Sequence, residues 1–203
     1  MNKIINNNGY DYVDLKLPSE TLWATCNVGA EKPSDYGLYF QWGDTIGYTK
    51  EQIGKDKPFS KDKYKWSIKG CDKNFIKYTT EVAILNLEDD AANANMGGDW
   101  HMPTPGQIKE LINETTSIWT TKDGVNGRLF TSKKDTSKSI FIPAAGYAWN
   151  GSLYDVGSSG SIWSSVLSEG SVGYGQSLVF NSGNVYLGSL NCNFGRSVRG
   201  VIG

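Results

Sequence analysis

Between Lys138 and Arg196 the chain carries no lysine or arginine, and after Asp135 its only acids are Asp155 and Glu169. A stretch so poor in charge usually marks a flexible linker. Here Ile162-Trp163, Leu178-Val179-Phe180 and Val185-Tyr186-Leu187 recur at strand-like intervals with turn residues between them, which excludes a linker and predicts short β-strands. Histidine occurs once, as His101, so any Ser/His or Cys/His mechanism would have to use that side chain. The three cysteines, Cys26, Cys71 and Cys192, show no C-x-x-C spacing; they argue against an encoded zinc site and read as buried free thiols. No apolar run approaches the ~20 residues that span a bilayer. Met1 to Asn8 is polar and lacks the apolar centre of a signal peptide. Net charge is −1, with acids and bases mixed along the first two thirds. The expectation is a soluble chain with no nucleic-acid partner and no membrane insertion.

What the chain has in abundance is aromatic residues, at 12%, and glycine, at 24 of 203 residues. That pairing predicts many turns around a core of packed rings, within one domain over 1–203. Residues 1–9 are Asn-rich and read as a flexible N-terminus. Tyr10 to Leu17 alternates as a strand, Pro18-Ser19-Glu20 turns, and Thr21 to Val28 returns. Tyr36 to Trp42 reads as an irregular aromatic segment. Thr104-Pro105-Gly106-Gln107 is the clearest local signal: an N-cap Thr, Pro at the first helical position and Gln at N3 predict a helix to about Thr115, buried through Ile108, Leu111 and Ile112. Strands are expected at 118–121, 127–131 and 139–142. The order of strands, two short helices, then strands gives α+β with antiparallel sheets.

Residues 44–80 form a Lys-rich insertion. Its lysines alternate with acids and with single aromatics (Phe59, Tyr64, Trp66, Phe75, Tyr78), which reads as a solvated loop pinned by rings rather than a base-stacking surface. Leu87 to Met96 reads as a helix with Glu88, Asp89 and Asp90 in its first turn, where the helix dipole favours acids, and Gly97-Gly98 as its stop. Those acids could ligate a structural calcium, but no motif supports one, and no cofactor is expected.

The C-terminal part, 139–203, is the candidate ligand-displaying region. Its Ser, Gly, Asn and Tyr content is that of binding loops, in which Tyr supplies rigid contact area and the small residues adaptable hydrogen bonds. The candidate surface is Ala148, Trp149, Asn150, Ser152 and Tyr154, read as a loop, with Ser168, Glu169, Ser171, Tyr174, Tyr186, Ser189, Asn191, Asn193 and Phe194. Trp163, Leu178, Phe180 and Val198 are expected to form the buried face of the same strands.

Several motifs in order carry a family resemblance. Val13-Asp14-Leu15, Leu17-Pro18-Ser19 and Leu22-Trp23-Ala24-Thr25-Cys26-Asn27-Val28-Gly29-Ala30 resemble the opening of the Fibrobacter succinogenes major paralogous domain family. Asp89-Asp90-Ala91-Ala92, Gly98-Asp99-Trp100-His101-Met102-Pro103-Thr104, Ile142-Pro143-Ala144-Ala145-Gly146 and Trp163-Ser164-Ser165 resemble its middle, and Arg196-Ser197-Val198-Arg199 its end. The resemblance runs from about Tyr10 onward. It implies a C-type lectin fold, shared with formylglycine-generating enzymes and with the variable proteins of diversity-generating retroelements. In those variable proteins, adenine-templated substitutions fall on a fixed scaffold, and residues reachable from Asn codons are what fill Ser168 to Phe194. His101 departs from an expected Arg, Lys16 and Glu20 from expected glycines, and Gly200 from an expected Pro.

Catalysis finds little support in these residues. His101 sits in a tight Trp-His-Met-Pro link; formylglycine chemistry needs two cysteines where the C-terminal third has only Cys192; no paired carboxylates with a local signature suggest glycoside hydrolysis. The expectation is a non-enzymatic binding module for a protein or glycan ligand, displayed on a cell or phage surface, with its oligomeric state open. A sugar-specific adhesin, a structural tip or fibre domain, and a degenerate relative of formylglycine-generating enzymes stand beside it.

Overall fold

The computed structural model describes residues 5–67, 75–79, 83–169 and 173–203. It is an α+β arrangement of mostly antiparallel sheets with three α-helices among the described residues. The chain begins with β1 (Ile5–Asn7), β2 (Tyr10–Asp14), β3 (Leu22–Ala24) and β4 (Tyr39–Phe40), followed by α1 (Lys50–Asp56), α2 (Ala91–Met96) and α3 (Pro105–Glu114). A run of strands completes it: β5 (Thr115–Lys122), β6 (Val125–Ser132), β7 (Ser139–Pro143), β8 (Tyr147–Trp149), β9 (Ser152–Tyr154), β10 (Ser159–Leu167), β11 (Tyr174–Asn181), β12 (Val185–Asn191), β13 (Arg196–Ser197) and β14 (Val201–Ile202). The sheets run β1-β2-β3-β14, β12-β11-β10-β13-β4, β5-β6-β7 and β8-β9; among the described residues only β10 and β13 pair in parallel. No helix among the described residues is long and apolar enough to cross a membrane.

Local chemistry accounts for the elements. Thr104 caps α3, with the Thr104 and Gln107 backbone N–H groups each bonded to the other's side chain, and Ile108 and Leu111 are buried beneath it. Asp123-Gly124 turns β5 into β6 with both residues at positive φ, the geometry a two-residue hairpin loop requires. Lys16 and Glu20 stand at φ 58° and 61°. These are left-handed positions that glycine takes more easily.

Four expectations need correction. Residues 5–7 of the supposedly flexible N-terminus pair with β2 through Ile5–Tyr12, Asn6–Asp11 and Asn7–Tyr10; residues 1–4 lie outside the described set. The 44–80 insertion contains α1, whose Thr49/Gln52 capping box went unread. The helix expected over Leu87 to Met96 breaks at Asp90, which is extended (φ −81°, ψ 114°) because its carboxylate accepts from the Ala92 and Asn93 backbone N–H groups and starts α2 there. Leu87–Asp89 is a separate 3₁₀ turn.

The fourth correction concerns the core. Trp163, with Phe40, Trp42, Trp100 and Val198, belongs to one buried cluster. Leu178 and Phe180, with Ile108, Leu111 and Ile162, belong to another. Direct pairs put Trp163, Ser177 and Gly188 on one face of the five-stranded sheet, and Ile162, Leu178 and Leu187 on the other. Both faces of the sheet are therefore covered over its centre, and no single buried face backs a single open one.

Candidate recognition surface

The hairpin β8–β9 turns on Asn150-Gly151, at φ 45° and 82°. Alternation then sorts its side chains. Tyr147 and Trp149 lie on one side with their partners Tyr154 and Ser152. Ala148 lies on the other, fully buried with Tyr39, Ile53, Phe59 and Ala145. The stretch read as a loop is thus a rigid hairpin, and Ala148 is a core residue rather than a ligand contact. Its backbone is clipped to Gly195 by Ala148 N–H to Gly195 O (2.8 Å) and Gly195 N–H to Ala148 O (2.9 Å). A Cβ at Gly195 would stand 2.4 Å from the Phe59 ring, so this close approach requires glycine.

The clip brings Phe194 against the hairpin. Tyr147 stacks with Tyr154 (centroids 5.3 Å apart, 20° between planes) and with Phe194 (5.5 Å, 11°), and Phe194 meets Trp149 at 4.5 Å. Tyr154 is 42% exposed, while Tyr147, Trp149 and Phe194 are half-buried. Beneath them lies Arg196, whose guanidinium carbon is 5.0 Å from the Tyr147 ring centre, 5.5 Å from that of Trp163 and 5.8 Å from that of Phe194. Arg196 is only 7% exposed; it donates from Nη1 to Ser161 Oγ at 3.0 Å, and its Nε has no partner among the described residues. Burial pulls the guanidinium pKa down to about 10, still well above neutral pH, so the cation stays charged and is held chiefly by ring faces. Tyr147 and Arg196 were missed as site residues. The alternation Tyr-Ala-Trp before Asn-Gly would have flagged the first, whereas no local pattern marks the second.

The remaining candidates fall into two groups. Tyr186, 49% exposed, pairs with Val179 and through it with Ser161, on the Trp163 and Arg196 side of the sheet. Tyr174 and Asn191 pair with each other, and Ser189 with Gln176, on the opposite face. Ser168 is buried and donates to Ser189 Oγ at 2.6 Å, so it is a structural contact, contrary to its expected exposure. Glu169 and Asn150 are exposed, Asn193 is half-buried and accepts at its carbonyl from Gln41 Nε2 (2.9 Å), and Ser171 lies outside the described residues. The expected surface is thus a hairpin-centred aromatic cluster joined by Tyr186 and Asn193, with a second polar group across the sheet.

Other chemistry is sparse. His101 places Nδ1 2.9 Å from Met102 O and Nε2 3.2 Å from Gly203 O, and its backbone pairs with Val201. Burial pushes the Cys192 thiol far above its ordinary range; Cys26 is half-buried and unpaired, and Cys71 lies outside the described residues. Asp89 accepts from Lys65 (3.2 Å), Lys77 (2.5 Å) and Tyr78 Oη (2.5 Å), and Asp90 from Met102 N–H as well as its own helix. Among the described residues no group of three or more His, Cys, Asp or Glu is arranged to hold a metal ion. Comparisons with protein-family models, with curated proteins and with solved structures give no match to this chain.

Proposed function

We propose that this chain is a binding module of C-type lectin fold, related to the variable proteins of diversity-generating retroelements and displayed on a cell or particle surface. The observation that carries the reading is the ring cluster Tyr154–Tyr147–Phe194–Trp149 on a clipped hairpin over buried Arg196. Rings held this way lose little entropy when a ligand docks, and Asn150, Ser152 and Asn193 around them offer adaptable polar contacts. Tyr147 and Phe194 stack on neighbouring rings, which leaves few open faces for a pyranose and favours a protein ligand. Recognition is by shape and hydrogen bonding, without turnover.

The test is binding to arrays of glycans and of purified surface proteins, followed by Tyr154→Ser and Trp149→Ala. Loss of a central aromatic anchor weakens binding by at least ~2 kcal/mol, about 30-fold. Tyr154→Ser, at an exposed ring, should lower the Tm by only a few degrees. Unchanged affinity in both variants would remove the hairpin from the site.

A further inference from the structure

The five-stranded sheet ends on β12, whose sequence Val185-Tyr186-Leu187-Gly188-Ser189-Leu190-Asn191 has no charge and no proline. Edge strands are normally guarded by lysine, proline or a bulge, because a bare row of backbone groups is a template for another strand. This one has none of those devices: its seven pairs with β11 run without a bulge. The bonds Asn181 N–H to Asn184 O (3.0 Å) and Cys192 N–H to Gly173 O (2.9 Å) bracket the ladder and set its phase. Tyr186, Gly188 and Leu190 bond inward to β11, so Val185, Leu187 and Ser189 point their N–H and C=O groups outward. No backbone partner for these three lies among the described residues outside the strand.

We infer that β12 pairs with β12 of a second copy of this chain, antiparallel, about a two-fold axis through Leu187. That register uses the outward groups and no others. Leu187 faces its own copy, and Val185 faces Ser189 of the second copy, each pair closing two hydrogen bonds. On the other face Tyr186 stands opposite Gly188 of the second copy. Within one chain a Cβ at Gly188 would already meet the Tyr186 ring and the Val179 side chain at 3.0 Å, so glycine is what lets the chain's own ring lie across this position. A two-fold axis through a strand sets each charge near its own image, and this strand has no charge to repel. One strand pair buries less than the ~1,200 Å² typical of stable complexes, so the dimer is weak and concentration-dependent. The pairing does not depend on the recognition reading; where both hold, two aromatic clusters share one side of a continuous sheet and can bind bivalently.

Sedimentation of the full chain from micromolar to near-millimolar concentration should show the mass rising from 22.3 kDa toward twice that value. Ser189→Pro removes an outward N–H and no ladder bond, but also the hydroxyl that accepts from buried Ser168, so it should stay monomeric while folded, with its Tm lowered by a few degrees. Single cysteines read the register independently, with the parent chain as background. Under mild oxidation Leu187→Cys should cross-link to its own copy, whereas Ser189→Cys alone should not. A monomer at every concentration, as expected if the edge takes a strand from a different protein, would overturn the inference. So would a dimer that survives in folded Ser189→Pro, or cross-linking at residue 189 equal to that at 187.

Discussion

Arg199 offers the sharpest test of how the scaffold is held. Its guanidinium is fully buried and donates from Nε to Asn27 Oδ1 (2.9 Å), from Nη1 to Ala24 O (2.9 Å) and Thr25 O (2.8 Å), and from Nη2 to Phe141 O (3.1 Å). These acceptors lie on β3, on the turn after it and on β7, so one side chain joins the four-stranded sheet to the three-stranded one. No carboxylate faces it among the described ion pairs, and burial lowers its pKa to about 10, so backbone dipoles carry the charge. Arg199→Met leaves three carbonyls and an amide oxygen without donors, at about 1–3 kcal/mol each. Removing a buried, unpaired cation offsets part of that. The net loss should be about 3–5 kcal/mol against a total of ~5–15. At 2–4 °C per kcal/mol for a chain of this size, the Tm falls by roughly 6–20 °C in calorimetry or near-ultraviolet circular dichroism. Arg199→Lys should fall between, since an ammonium has three donors and no fork. A Met variant melting within about 3 °C of the parent would show that the carbonyls find other partners, and the keystone role would fail.

Thr104→Ala removes the α3 cap and should cost about 1 kcal/mol, some 2–4 °C in Tm, with ligand affinity unchanged. His101→Gln should fold and keep its ligand; a folded variant that has lost a measurable turnover would overturn the non-enzymatic reading. Burial alone would raise the Asp89 carboxyl, but hydrogen bonds from Lys77, Tyr78 and Lys65 hold it below its ordinary 3.8. A depressed carboxylate stabilises the fold above its unfolded value and loses that contribution as pH falls through the lower folded value. Asp89→Asn should therefore melt below the parent at pH 7, begin to converge with it as pH falls past about 3.8 and meet it only below the lower folded value; a Tm gap that persists below that would contradict this, and a fall in the parent's Tm on adding EDTA at pH 7 would show a bound metal ion instead.

The parts of the fold legible in the sequence are those with local causes. The Thr104 cap and the periods of β5, β6 and β7 could be placed because adjacent residues dictate them. The break within Leu87 to Met96 was not legible because two neighbouring aspartates compete for one cap, and only tertiary partners decide. Asp89 turned toward Lys65 and Lys77 leaves Asp90 at the helix start. The hairpin at Asn150-Gly151 was readable, since Tyr-Ala-Trp and Ser-Leu-Tyr alternate around a turn pair, but polar composition masked it. Arg196 was not readable: its environment is assembled from Tyr147, Trp163 and Phe194, which no sequence window contains together.

Alternation in β10 to β12 shows that the strands have two faces, but not that both are covered. Trp163 and Leu178 look alike in sequence and lie in different cores. With the centre of the sheet closed on both sides, tolerance to substitution is confined to its margins. Ala148, buried against Tyr39, Ile53 and Phe59, and Ser168, bonded to Ser189, leave the candidate surface, whereas Tyr154, Tyr186, Glu169 and Asn150 stay in it. Tyr174, Ser189 and Asn191 lie across the sheet from Tyr186, so one ligand touching both groups would have to wrap around the β12 edge. A second copy on that edge would forbid such wrapping. The aromatic hairpin does not touch β12 in any strand pair, so it is the part of the surface that both proposals leave open to a ligand.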